Sequence, residues 1–147
     1  MHQTEAEAIF IKGVDALARE EWPTALACFE RATTLLDIPV HASFLGLCLA
    51  KERGQVRKAV ALCTEAIERE PGNSLHYLNL GKIYLLQGDR PEAIRMFRKG
   101  LEHGVDEQIV AELNKLGARR PPPLPFLHRS HPLNKYLGII LGRLGLR

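Results

Sequence analysis

A small–large–small triplet recurs along this chain at a constant period. Ala25, Phe29 and Ala32 return thirty-four residues later as Ala59, Cys63 and Ala66, and thirty-four later again as Ala93, Phe97 and Gly100. A fixed period of that length marks a solenoid, whose units cannot bury their apolar faces alone and must stack. Upstream of each triplet a second helical segment carries one glycine: Gly13, Gly46 and Gly81. These stand 33 and 35 residues apart, so the second unit holds one extra residue, expected in its internal turn Lys51–Gln55. Small residues let helix backbones approach closely, and the large ones fill the space between units. Turn chemistry agrees. Gly88-Asp89-Arg90-Pro91-Glu92 puts Asp89 at a helix N-cap, with Pro91 in the first turn and Glu92 as its capping-box partner. Pro23 holds the equivalent place in the first unit, Ile38-Pro39 ends that unit, and Pro71-Gly72-Asn73 ends the second.

The third unit is the most regular, with Tyr77, Leu80, Gly81, Tyr84, Gly88, Ala93 and Phe97. These residues resemble the tetratricopeptide signature; in the first two units Ile9 and Ala42 stand where its first aromatic usually sits. The resemblance covers about residues 6–105 and implies an all-α superhelix of three helix-turn-helix repeats, at about 6–39, 40–72 and 74–105. It further implies a concave groove, lined by the first helix of each pair, that receives a peptide or helix of another protein. The lining residues would be Phe10 and Val14, then Phe44 and Leu47, then Leu75, Asn79 and Lys82. One subclass of the family holds the acidic tails of heat-shock chaperones through Lys, Asn and Arg at such places. Here those places read Phe10, Val14, Phe44, Leu75 and Asn79, so the charged clamp is missing save for one Asn. An apolar groove suits an amphipathic helix or extended apolar peptide. The alternative is that the chain covers these residues itself.

Asp106–Leu116 reads as one more helix, with Ile109, Val110, Leu113 and Leu116 on one face and Gly117 as its stop. It fits a capping helix at 106–117 that closes a solenoid domain of residues 1–118. Residues 119–131 form a proline-rich linker, extended because proline fixes φ and restricts its predecessor. Arg119, Pro122 and Pro125 match a spacing that proline-binding modules read, but a stiff spacer is the simpler account. Residues 132–147 are expected to form a basic amphipathic helix behind Ser130, with Leu133, Leu137, Ile140, Leu141 and Leu144 on one face. Gly138, Gly142 and Gly145 weaken that helix by about 1 kcal/mol each, so it should form mainly when docked. It has three docking places: its own solenoid, a second copy to give a homodimer, or an anionic membrane surface.

The formal net charge of +3 conceals an asymmetry. Arg119–Arg147 holds six Lys/Arg and no Asp/Glu, whereas the preceding 118 residues hold fourteen and seventeen. A basic tail on an acidic body calls for an acidic partner, an anionic surface or the body itself. Nucleic acid is not expected, because Phe126 and Tyr136 are the tail's only stacking residues. Cys28, Cys48 and Cys63 lack metal or redox spacing and fall where the repeat register wants small apolar residues. No basic-then-apolar leader opens the chain and no apolar run approaches the ~20 residues of a membrane span, so the expected location is the cytoplasm. Nothing nominates a cofactor, and His128 and His131 without Cys or carboxylate neighbours do not make a metal site. No nucleotide-binding loop or catalytic constellation stands out, and Glu65, Glu68, Arg69 and Glu70 look like a solvated helix face. The expectation is a non-enzymatic adaptor for an apolar peptide or helix. Its alternatives are a self-associating structural protein docked through its C-terminal helix, and a small secretion-system chaperone.

Overall fold

The computed structural model describes residues 2–117. These form seven α-helices: α1 (His2–Ala18), α2 (Trp22–Leu35), α3 (Pro39–Arg53), α4 (Val56–Arg69), α5 (Ser74–Leu86), α6 (Arg90–Leu101) and α7 (Glu107–Lys115). Helices α1 and α2, α3 and α4, and α5 and α6 pack as antiparallel pairs. Each pair is joined to the next through α2 on α3, α3 on α5 and α4 on α5, and α7 closes on α6. This is the all-α superhelical repeat architecture expected from the period.

The second helices begin at Trp22, Val56 and Arg90, thirty-four residues apart. The turns before them share a left-handed residue at the same interval: Glu20 (φ 59°), Gly54 (φ 63°) and Gly88 (φ 78°). Glycine adopts that conformation freely, whereas Glu20 incurs a steric cost on the order of 1 kcal/mol. The extra residue of the second repeat is not in the turn. It is wound into the end of α3, which runs on through Lys51 to Arg53 and leaves only Gly54 and Gln55 between helices. The closing hydrogen bonds show the same thing. Glu21 N–H reaches Ala16 O and Asp89 N–H reaches Tyr84 O, but Gln55 N–H reaches one residue further back, to Leu49 O.

The glycine of each first helix is set by its partner across the pair. A Cβ on Gly13 would lie 2.6 Å from the Phe29 ring, and one on Gly81 would lie 2.3 Å from the Phe97 ring. In the second repeat Cys63 replaces the phenylalanine, and α3 closes onto backbone instead: a Cβ on Gly46 would lie 2.9 Å from Ala59 O. Three core clusters result, the first two spanning neighbouring repeats and the third joining the last repeat to α7. Phe29, Phe44, Cys48 and Leu49 build the first, Leu47, Cys63, Leu80, Ile83 and Met96 the second, and Leu78, Phe97, Ile109 and Leu113 the third.

Asp89 caps α6 as expected, but Glu92 does not close the capping box, since Asp89 N–H is bonded to Tyr84 O and the Glu92 carboxylate accepts from Arg95. Asp106, expected as the first helical residue, is the cap of α7. Asp89 accepts a hydrogen bond from Glu92 N–H, and Asp106 accepts from Gln108 and Ile109 N–H. Gly117 (φ 67°) follows α7, whose last carbonyl region is tied back to α6 when Arg90 donates to Leu116 O. Pro39, expected to end the first repeat, instead opens α3 at a position where its missing N–H costs nothing.

Candidate functional site

The seven residues expected to line a groove are scattered between surface and interior. Val14 is exposed, Phe10, Leu75 and Lys82 are half-buried, and Phe44, Leu47 and Asn79 are buried. Phe44 keeps 8% of its surface because its ring sits 5.4 Å from both Phe10 and Phe29, wedged between the first two repeats. Leu47, at 1%, belongs to the second core with Cys63 and Leu80. These two are therefore corrected from groove lining to core. The reason is position: α3 is the central first helix and packs against α2, α4 and α5, which uses up its faces.

Asn79 is fully buried for a different reason. Its Nδ2 donates to Ser43 Oγ at 3.3 Å, across the junction of repeats two and three. His76 Nδ1 lies 2.9 Å from the same hydroxyl, and His76 Nε2–H donates to Glu70 Oε1 at 2.7 Å. Glu70 also accepts from Asn73 Nδ2, so this carboxylate, whose side chain stays 44% exposed, is a structural partner at the edge of the solvated face. Arg69 likewise pairs with Asp37 at 3.2 Å. The Glu70–His76–Ser43 order resembles that of a hydrolase triad, but Ser43 has 0% exposure and no substrate can reach its oxygen. What the arrangement does is hold α3 to α5. Sequence reasoning missed it because its members come from two repeats, and the only hint was polar Ser43 where the interior should be apolar.

Lys82 faces the capping helix. Burial lowers its ammonium below the ordinary lysine range, Glu112 and Asp106 act against that shift, and Lys115 adds to it. Among the thiols, burial pushes Cys48 and Cys63 up to about 12, so both are neutral groups, whereas Cys28, at a register place where a small apolar residue was expected, is half-exposed.

Among the described residues the exposed large apolar side chains are Leu86 (43%) at the end of α5, Val105 (66%) between α6 and α7, and Ile11 and Val14, which share α1. Ile11 is 60% exposed and Val14 37%, beside half-buried Phe10 and Leu17. Gly13 on the same helix turns toward α2 and Phe10 toward α3, so Ile11 and Val14 share a side that neither neighbour covers. Next to it an open apolar cleft of about 270 Å³ runs between α1 and the start of α3, lined by Glu7, Phe10, Leu36, Ile38, Val40 and His41. The sequence reading named Phe10 and Val14 but missed Ile11, whose signal was its place one helical turn before Val14. The tail residues Leu133, Leu137, Ile140, Leu141 and Leu144, the Arg119–Pro125 spacing and the His128–His131 pair lie outside the described residues. Among the described residues no helix is long and apolar enough to cross a membrane.

Comparison with known proteins gives one family and one fold. The family model described as Tetratricopeptide repeat matches residues 50–116. No curated protein sequence matches the chain. Among solved structures, the Sgt2 TPR domain from Aspergillus fumigatus is similar at 20% identity and TM-score 0.56, over 89% of this chain and 93% of that one. The second TPR domain of human RPAP3, in complex with the HSP70 peptide SGPTIEEVD, is similar at 19% and 0.58, over 81% and 100%. The TPR2B domain of yeast Sti1, in its pHsp70 complex, is similar at 19% and 0.55, over 76% and 85%. Identities at this level speak for the fold.

Proposed function

We propose that this chain, whose residues 50–116 match the tetratricopeptide-repeat model and whose fold is that of tetratricopeptide domains, is a non-enzymatic adaptor that receives an apolar, amphipathic segment of another protein on the uncovered side of α1. The observation that carries this reading is the exposure of Ile11 and Val14 beside Phe10, the one place among the described residues where two exposed large apolar side chains share a helix. Water-exposed isoleucine and valine at helical spacing, next to an open apolar cleft, suit the leucine face of a helix. Solved neighbours hold chaperone peptides ending in EEVD, but this chain offers no comparable cation set. Phe10 and Val14 are uncharged, Asn79 is committed to Ser43, and Lys82 is drawn toward α7. An acidic tail is therefore the wrong ligand for it.

The test is fluorescence anisotropy with two labelled peptides, a sixteen-residue Leu/Lys amphipathic helix and SRMEEVD. The apolar helix should bind, and the acidic peptide should not. Ile11→Glu should weaken the apolar helix tenfold or more, since burying an isoleucine is worth about 1.5–3 kcal/mol. Equal affinity of wild type and Ile11→Glu, or preference for SRMEEVD, would reject the proposal. Ile11 is exposed enough that the substitution leaves the cores untouched, which circular dichroism and the melting curve would verify.

A further inference from the structure

We infer that the resident occupant of the α1 face is the chain's own C-terminal segment, residues 132–147, held there in cis and displaced by a partner. The inference rests on the reading of α1 as the binding face. Four observations carry it.

First, the face is apolar and open where the segment is apolar and in need of cover. Ile11 and Val14 lie beside the cleft at Phe10, and the segment offers Leu133, Leu137, Ile140, Leu141 and Leu144 at helical spacing. Second, one charge is placed to match. Exposed Glu7 lies one helical turn before Ile11, whereas Asp15, one turn after it, is paired with Arg19 at 3.3 Å and Lys12 stands beside Ile11, so the acidic contact falls to Glu7. The tail brings Arg129, Lys135, Arg143 and Arg147 and carries no acidic residue. Third, the linker reaches. From α7 past α5 and α3 to α1 is three helix-to-helix steps, roughly 30 Å at 8–10 Å each. Residues 118–131 in extended polyproline geometry span about 43 Å at ~3.1 Å per residue. Fourth, the glycines at 138, 142 and 145 make the segment a weak helix by itself, so its binding is soft enough to be exchanged for a partner.

A tethered ligand of this kind competes by effective concentration. A linker of this length supplies about 1 mM. If the free segment binds with a dissociation constant near ~0.1 mM, the tether weakens any foreign ligand about tenfold. The experiment uses the full chain and the double tail variant Leu137→Glu with Leu141→Glu, with circular dichroism and the melting curve of the variant as the check on its fold. Methyl NMR follows Ile11 and Val14, and anisotropy follows the Leu/Lys helix. The expected result is a shift of the Ile11 and Val14 methyls in the variant, with the probe bound about tenfold more tightly than by wild type. A synthetic peptide of residues 130–147, added to the variant, should restore the wild-type methyl positions. Unchanged methyls with equal probe affinity in both chains would overturn the inference while leaving α1 as the binding face. No probe binding to either chain would overturn both. Methyl positions that change with protein concentration, together with a doubled mass in sedimentation, would assign the segment to a second copy and overturn docking in cis.

Discussion

Gly81→Ala is the substitution on which the packing argument is most exposed. Alanine is the better helix former by about 1 kcal/mol, so an argument from propensity alone expects a more stable protein. The structure expects the reverse. The new methyl would sit 2.3, 2.6 and 2.8 Å from three atoms of the Phe97 ring, against ordinary contacts of 3.4 Å and more. The ring has 0% exposure and belongs to a core with Leu78, Ile109 and Leu113, so it has to retreat by about 1 Å into filled space. Overpacking of this kind costs about 1–3 kcal/mol, and three short contacts place it in the upper part of that range. The net loss is about 1–2 kcal/mol, or roughly 4–8 °C in melting temperature for a chain of this size. Gly72 is the control: a Cβ there meets nothing within 4 Å, so Gly72→Ala should be neutral or stabilising by up to about 1 kcal/mol. Thermal and urea unfolding of both variants decides the matter. Phe97→Leu should relieve part of the Gly81→Ala loss, with a coupling of about 1–2 kcal/mol in a double-mutant cycle. A Gly81→Ala protein as stable as wild type, or strictly additive behaviour with Phe97→Leu, would refute the reasoning.

Four further expectations follow from the same structure. Glu20→Gly should raise stability by about 0.5–1 kcal/mol in urea unfolding, because it puts glycine at the left-handed position that Gly54 and Gly88 already fill. Ser43→Ala should lower stability by about 1–3 kcal/mol, since it strands Asn79 Nδ2 and one His76 nitrogen in the interior; unchanged urea unfolding would deny the junction its role. Cys48 and Cys63 should resist Ellman's reagent at pH 8 while Cys28 reacts, and all three should react in urea. Their thiols are raised from 9.0 to about 12, so the neutral forms stabilise the fold fully below pH 9 and that contribution fades as pH climbs toward 12. A flat unfolding free energy between those values would contradict it.

The architecture was legible because it is written in local signals that repeat. The glycines, prolines and the Asp89 cap each act within one or two helical turns and recur with the period, and the structure keeps them almost unchanged. The extra residue was also legible as a count, but not as a place. Whether it lengthens a turn or a helix depends on where the left-handed residue falls, and Gly54 fixes that only once the chain is folded. The candidate site was less legible, because exposure is a property of neighbours. Phe44 and Leu47 look like groove residues on a single helix and become core when α2, α4 and α5 close around α3.

That closure has a consequence for how so short a stack can bind anything. The middle first helix is used by its neighbours, and the last is answered by α7, with Leu78 and Phe97 against Ile109 and Leu113. Among the described residues, no element packs on the side of the first helix that carries Ile11 and Val14. Its apolar side is therefore left over by the same rule that builds the solenoid, that each unit needs a neighbour to cover it. Val14 and Ile11 are exposed for want of that neighbour. Any apolar helix that docks there serves as the missing one, which makes ligand binding and the completion of the stack the same physical event. A bound probe should accordingly raise the melting temperature, and the Ile11→Glu chain should show no such rise at probe concentrations that saturate the wild type.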